Sequence, residues 1–287
     1  MRNGLLKRIG VGTALWLLAA VSLAEIPRLP NGRPDLNGVW QVMNSANFDL
    51  LPHSARSAMA TQPGPFGPVP AEAVVALGAV GAVPAGPGYV EGGEIPYLPG
   101  KAAQQAENHA QWLARDPEIK CYLPGVPRAT YLPFPFQILQ SDQAVFIAYE
   151  FAGATRDLKL TDPGEAPVDS WMGQSYARWE GDALVVTVTG QNDRTWFDRT
   201  GHYHSDALVV TERYELRSAH HLDYSATIED PQTFSRPWTI RMPIYRKVGP
   251  DARLQQFNCV PFVEELLYGE LRREPLNPER SSPLPKE

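Results

Sequence analysis

Between Pro135 and Asn258 the chain alternates short apolar-rich runs with turn residues. The runs are PFQILQ, QAVFIAYEF, RDLKL, SYARWE, ALVVTVT, ALVVTERYEL, LDYSATIE, WTIRMPIY and LQQFN. Side chains on a strand point alternately to opposite faces, so each run reads as a strand with one face buried. Glu180-Gly181-Asp182, between two apolar runs, predicts a tight hairpin turn. No helical pattern intervenes, which favours an antiparallel barrel or sandwich over a parallel sheet with crossover helices.

Upstream the pattern changes. LNGVWQVM, residues 36–43, predicts a first strand after an extended arm over residues 25–35. Residues 45–100 are dominated by Pro, Gly and Ala, as in TQPGPFGPVP and GAVPAGPGYVEGGEIPYLPG. Proline brings no N–H to a ladder and glycine is costly to order, so this stretch predicts a long excursion on the surface or over a cavity mouth. KAAQQAENHAQWLARD predicts a helix stopped at Asp116-Pro117, and PFVEELLYGELRR a closing helix. The expected organisation is one β-barrel domain over residues 25–270 and a flexible tail over residues 271–287.

Composition adds little to this picture. The chain has 287 residues, 43% hydrophobic, with a net charge of −6. An acidic balance gives no electrostatic reason to expect nucleic acid as a partner.

The first residues say more. Arg2, Lys7 and Arg8 precede the apolar run IGVGTALWLLAAVSL, and Ser22-Leu23-Ala24 ends it. A basic start, a short apolar stretch and small residues describe a secretory signal peptide over residues 1–24. The run is shorter than the ~20 apolar residues of a spanning helix, so no stable membrane insertion is expected after cleavage. The expected location is periplasmic or secreted. Export makes Cys121 and Cys259, the two cysteines, candidates for a disulfide; the alternative is a pair of buried thiols.

Two resemblances emerge. DLNGVW, Asp35 to Trp40, resembles the Gly-x-Trp opening strand of lipocalins and other calycins. That resemblance implies a tryptophan at the barrel floor with an arginine from a late strand packed on it, either Arg241 or Arg246. KCYLPGVPR, PFPFQILQ, WMGQSYARWEGDALVV, NDRTWFDRTGHYHSDALVVTERYE, TIEDPQTFSRPW and CVPFVEELLYG resemble a large family of secreted bacterial proteins of unknown function. This second resemblance spans roughly residues 117–270 and implies no activity. The expected fold is therefore mainly β: an antiparallel, calycin-like β-barrel with a long Pro/Gly-rich insertion and two short helices.

The candidate chemistry follows from strand periodicity. If HSDALVVTERYEL is one strand, His204, Asp206, Leu208, Val210, Glu212, Tyr214 and Leu216 share a face. Their apolar members turn that face inward and carry Glu212 with them. A buried carboxylate is either paired with an interior arginine or held where it can act as a general acid or base. His202-x-His204 is a second candidate, for metal, since residues two apart on a strand can reach one ion. The intervening loop collects Asp193, Arg194, Trp196 and Asp198. Arg194 suits a carboxylate or enolate oxygen and Trp196 a ring; a self-satisfied turn is the plainer alternative. Arg128, in GVPR, suits an anion or a structural pair.

No Gly-x-Ser-x-Gly elbow, Walker-type loop, Rossmann fingerprint or His-Glu-x-x-His stretch occurs. The expected function is binding of a small hydrophobic or aromatic molecule, with or without acid–base turnover and without a cofactor. His204 would shuttle the proton, Glu212 orient it, and Arg194 stabilise an anion. Trp196, Trp238, Asp193 and Arg128 would bind. The alternatives are a periplasmic carrier of a hydrophobic ligand and a metal-dependent enzyme using His202 and His204.

Overall fold

The computed structural model describes residues 26–55, 61–65, 67–70 and 83–263. The expected signal peptide and tail, and nearly all of the expected closing helix, lie outside the described residues. The strands are β1 (Gly38–Gln41), β2 (Thr61–Gly64), β3 (Gly67–Pro70), β4 (Phe136–Gln140), β5 (Val145–Tyr149), β6 (Thr155–Lys159), β7 (Gln174–Glu180), β8 (Ala183–Thr189), β9 (Val209–Ser218), β10 (His221–Glu229) and β11 (Trp238–Arg246). The helices are α1 (Lys101–Ala110), α2 (Trp112–Arg115) and α3 (Arg128–Tyr131).

Nine strands close into a barrel in the order β1-β11-β10-β9-β8-β7-β6-β5-β4, while β2 and β3 form a separate ribbon. A ring whose neighbours are all antiparallel must hold an even number of strands. Nine close only if one joint is parallel, and that joint is β6 with β7, paired at Leu158↔Ser175 and Lys159↔Tyr176. The protein is thus mainly β and barrel-shaped, as the periodicity predicts, with one joint that departs from the antiparallel rule.

Two expectations shift in detail, and one helix is new. The LQQFN run is not a strand, because residues 254–258 leave the barrel without regular structure. The expected long helix is present as α1 and α2, broken at Gln111, whose φ of −119° is not helical. The short, wholly buried helix α3 had no sequence signal beyond GVPR.

Alternation is clearest on β9. Val210, Glu212, Tyr214 and Leu216 are buried, while Val209, Thr211, Arg213 and Glu215 are half-buried. At the floor, Trp40 is buried and the Arg246 guanidinium lies 4.3 Å from its ring centre. Gly38 has a φ of +138°, and a Cβ there would run into Arg246, so this glycine is what lets the arginine in. Arg241 is outside, paired with Glu91 at 2.7 Å.

The Pro/Gly-rich excursion returns to the opposite end of the barrel. β1 pairs with β11 only at Trp40↔Arg246 and Gln41↔Tyr245. Beyond that point residues 89–97 line the wall: Val90 bridges Ile240 and Tyr97 bridges Phe234. α1 follows and packs on the β8–β9 loop, with Gln105 donating to Thr200 O at 2.6 Å and Asn108 to Gly201 O at 3.2 Å. This end, the mouth, is roofed over, and α3 plugs it from within.

Cys121 and Cys259 are bridged, with Cα atoms 5.7 Å apart. The bond ties the segment after α2 to the one after β11 and fits an oxidising compartment. Among the described residues no helix is long and apolar enough to cross a membrane.

Candidate functional site

An ion pair sits inside the barrel. Arg156 points inward from β6 and Glu212 from β9, with Nη2 and Oε2 2.5 Å apart. Glu212 Oε1 accepts the hydroxyls of Tyr214 and Tyr224, each at 2.8 Å. Arg156 also donates to Tyr149 OH at 3.2 Å and to Ser175 Oγ at 3.0 Å. Thr130, from the α3 plug, lies 3.4 Å from Tyr214 OH and 3.5 Å from Tyr149 OH. Burial, reinforced by the Glu212 charge, pushes the Tyr214 and Tyr224 phenols well above their ordinary value, so both stay donors. Arg156 loses stability as a cation by desolvation, yet Glu212 more than offsets this and raises its pKa.

This network is closed to solvent, and the surface beside it at the parallel joint is indented. A cleft of ≈ 310 Å³ runs along β6 and the residues leading into β7. Arg156 and Ser175 belong to its lining, with the paired Asp157 and Lys159, Pro167, Val168 and Gln174 around them. β6 and β7 share only two paired positions, which leaves room for it.

The mouth holds a second group, built on the β8–β9 loop, residues 190–208. Asp198 organises it. Its Oδ1 accepts from Thr200 N at 3.0 Å and Thr200 Oγ1 at 2.7 Å, and its Oδ2 from Leu50 N at 2.9 Å. His202 Nδ1 is 2.9 Å from Tyr97 OH, and its Nε2 faces Asp198 Oδ2 at 3.9 Å. Asp49, in the turn after β1, completes a set whose ligand atoms all lie within 4.8 Å of one another. Burial and the nearby Asp198 charge raise the Asp49 carboxyl above its ordinary value.

His204 belongs elsewhere. Its Nε2 is 2.6 Å from Thr195 Oγ1 and its Nδ1 is 2.8 Å from Ser205 O. The backbone carbonyl must receive an Nδ1–H, so Nε2 is the acceptor and Thr195 the donor. Burial holds this imidazole below its ordinary value. Asp230 fixes the turn beneath it, accepting from Ser205 N at 2.7 Å and Ser205 Oγ at 2.8 Å.

The structure therefore separates residues that the sequence pattern grouped. β9 begins at Val209, and Ser205 to Ala207 form a turn on Asp230, so His204 is not on the strand with Glu212. Glu212 orients no histidine; its hydrogen bonds go to Arg156, Tyr214 and Tyr224. His202 and His204 likewise engage different partners and share no site. Asp193 and Arg194 are exposed at the loop tip. Trp196 is buried against a bridge to Tyr203, and Trp238 packs edge-on to Phe197 and Phe234, each at 5.4 Å.

Arg128 is a structural anchor. It binds Asp116 through two nitrogens, at 2.8 and 2.9 Å, Glu118 at 2.7 Å and Asn47 at 2.8 Å, all buried. Burial penalises the Glu118 charge, but Arg199 and Arg128 outweigh it and lower its pKa to about 2.

Periodicity could have found Arg156, because RDLKL puts it on one face with Leu158. Asp49, Tyr97 and Thr195 carried no comparable signal. Comparison with protein-family models, with curated proteins and with solved structures finds no match to this chain.

Proposed function

We propose that the protein is an exported, calycin-like β-barrel that carries a small, partly hydrophobic molecule bearing an anionic or carbonyl group, bound in the cleft between β6 and β7. One observation carries this reading: the cleft counts Arg156 and Ser175 among its lining residues, beside apolar Pro167 and Val168. Pockets of a few hundred Å³ with few convergent polar groups are the usual form of small-molecule sites. Glu212 holds Arg156 in place, and at the rim Lys159 is paired with Asp157. The Cys121–Cys259 bridge supports export, and Arg246 over Trp40 supports the calycin-like reading of Gly38-x-Trp40.

The experiment is a fluorescence titration with 1-anilinonaphthalene-8-sulfonate, an aromatic anion. One saturable site is expected, weakened tenfold or more by Val168→Glu, which places a negative charge on an exposed part of the cleft wall. No saturable binding, or equal binding by the variant, removes the proposal.

Acid–base turnover is the second reading, favoured by the Thr195–His204 pair, in which a hydroxyl donates to a neutral imidazole held by a backbone carbonyl. It requires that His204→Gln abolish an activity while leaving binding of the same compound unchanged. A variant that loses only stability returns His204 to a packing role.

A further inference from the structure

We propose that Asp49, Asp198 and His202 bind one divalent transition-metal ion of the zinc type at the barrel mouth. The site lies among the β8–β9 loop and the turn after β1, away from the cleft, and does not depend on it. Its donors are one imidazole nitrogen and two carboxylates within 4.8 Å of one another. Four-coordinate zinc with bonds of about 2.1 Å separates its ligand atoms by about 3.4 Å, so the set needs to contract by little more than 1 Å. His202 Nε2 and Asp198 Oδ2, at 3.9 Å, are nearly there.

Each ligand is oriented by something other than an ion. His202 has only 6% of its side chain exposed, and its Nδ1 is engaged by Tyr97 OH. The remaining nitrogen, Nε2, faces Asp198 Oδ2 from beyond hydrogen-bonding range, and among the described residues no hydrogen bond reaches it. This is how metal-binding histidines are usually held: one nitrogen hydrogen-bonded, the other presented. Asp198 is fixed by Leu50 N and Thr200, with a lone pair of Oδ2 left over. Asp49 Oδ1 accepts Leu51 N at 2.8 Å, which aims the carboxylate while leaving Oδ2 to an ion.

The charge balance points the same way. Among the described residues neither Asp49 nor Asp198 is ion-paired with an arginine or lysine. Two carboxylates at this range repel, and a divalent cation removes the deficit that the chain itself leaves. An N,O,O set suits zinc or manganese and has too few oxygens for calcium. With three protein ligands, at least one position stays open to water or to a bound carbonyl or phosphoryl oxygen.

The test is calorimetric titration of the chelator-stripped protein with ZnCl2 and with MnCl2. One equivalent of Zn²⁺ is expected. Asp49→Asn is expected to weaken it at least tenfold without lowering the Tm measured in EDTA, since Asp49 is half-buried at the rim. Tyr97→Phe is expected to weaken binding 10- to 100-fold, the usual effect of losing such a support. Failure of the intact protein to take up either ion, or an Asp49→Asn affinity equal to that of the parent, overturns the site.

Discussion

Arg156 and Glu212 meet across the interior of the barrel, 2.5 Å apart, with side-chain exposures of 1% and 0%. Their strands are not neighbours, so the pair fixes the spacing of opposite walls. Breaking such a pair leaves a charge stranded in a low-dielectric interior, which costs about 3–5 kcal/mol, whereas replacing both partners costs far less. Glu212→Gln and Arg156→Met are each expected to lower unfolding free energy by about that amount. The double variant should lose clearly less than the sum in a urea-unfolding cycle. Additive losses would mean that the two side chains do not act as a unit.

Two buried groups, His204 and Glu118, weaken the fold as the pH falls. His204 has a folded-state pKa below its ordinary 6.5, so the unfolded chain takes up a proton first as the pH falls. Stability therefore declines from just above pH 6.5 downward until the folded-state pKa is reached. Glu118 falls from 4.5 to about 2 on folding, so its contribution is whole above pH 4.5 and disappears between 4.5 and about 2. Its neighbour Asp116 is raised by burial and offsets part of that loss. A Tm profile should show two declines, and His204→Gln should erase only the upper one. A variant profile that still follows the parent between pH 7.5 and 5.5 would rule His204 out as its source.

The disulfide spans 138 residues and encloses all but one strand of the barrel ring. A cross-link that closes so long a loop removes about 5 kcal/mol of unfolded-state freedom in the chain-entropy model. Replacing Cys121 and Cys259 together by alanine should lower the urea midpoint by a corresponding amount and leave the native circular dichroism unchanged. An unchanged midpoint would place the stabilisation elsewhere.

Much of this architecture could be read along the chain. Eight of the nine expected later strands are present, Glu212 faces inward as Val210 and Leu216 demand, and two cysteines admit one bridge. What escaped was set by tertiary partners. The start of β9 depends on Asp230, which holds Ser205 in a turn and detaches His204 from the strand's alternation. The parallel joint follows from ring closure, which no local pattern announces. Asp49 meets His202 only because the excursion folds back, and a contact of that kind has no period.

The placement of β1 has a consequence for assembly. β4 and β11 run the same way, and four residues near the start of the chain, Gly38–Gln41, stand between them as the keystone of the ring. Trp40 pairs with Arg246, more than two hundred residues later. The first strand made must therefore wait for the last before the hoop can shut. Contacts of such sequence separation carry a high entropic toll before they return anything, so closure is expected late in folding. A nascent chain released before Trp238 would lack β11, leave β1 one neighbour short and remain an open, curled sheet.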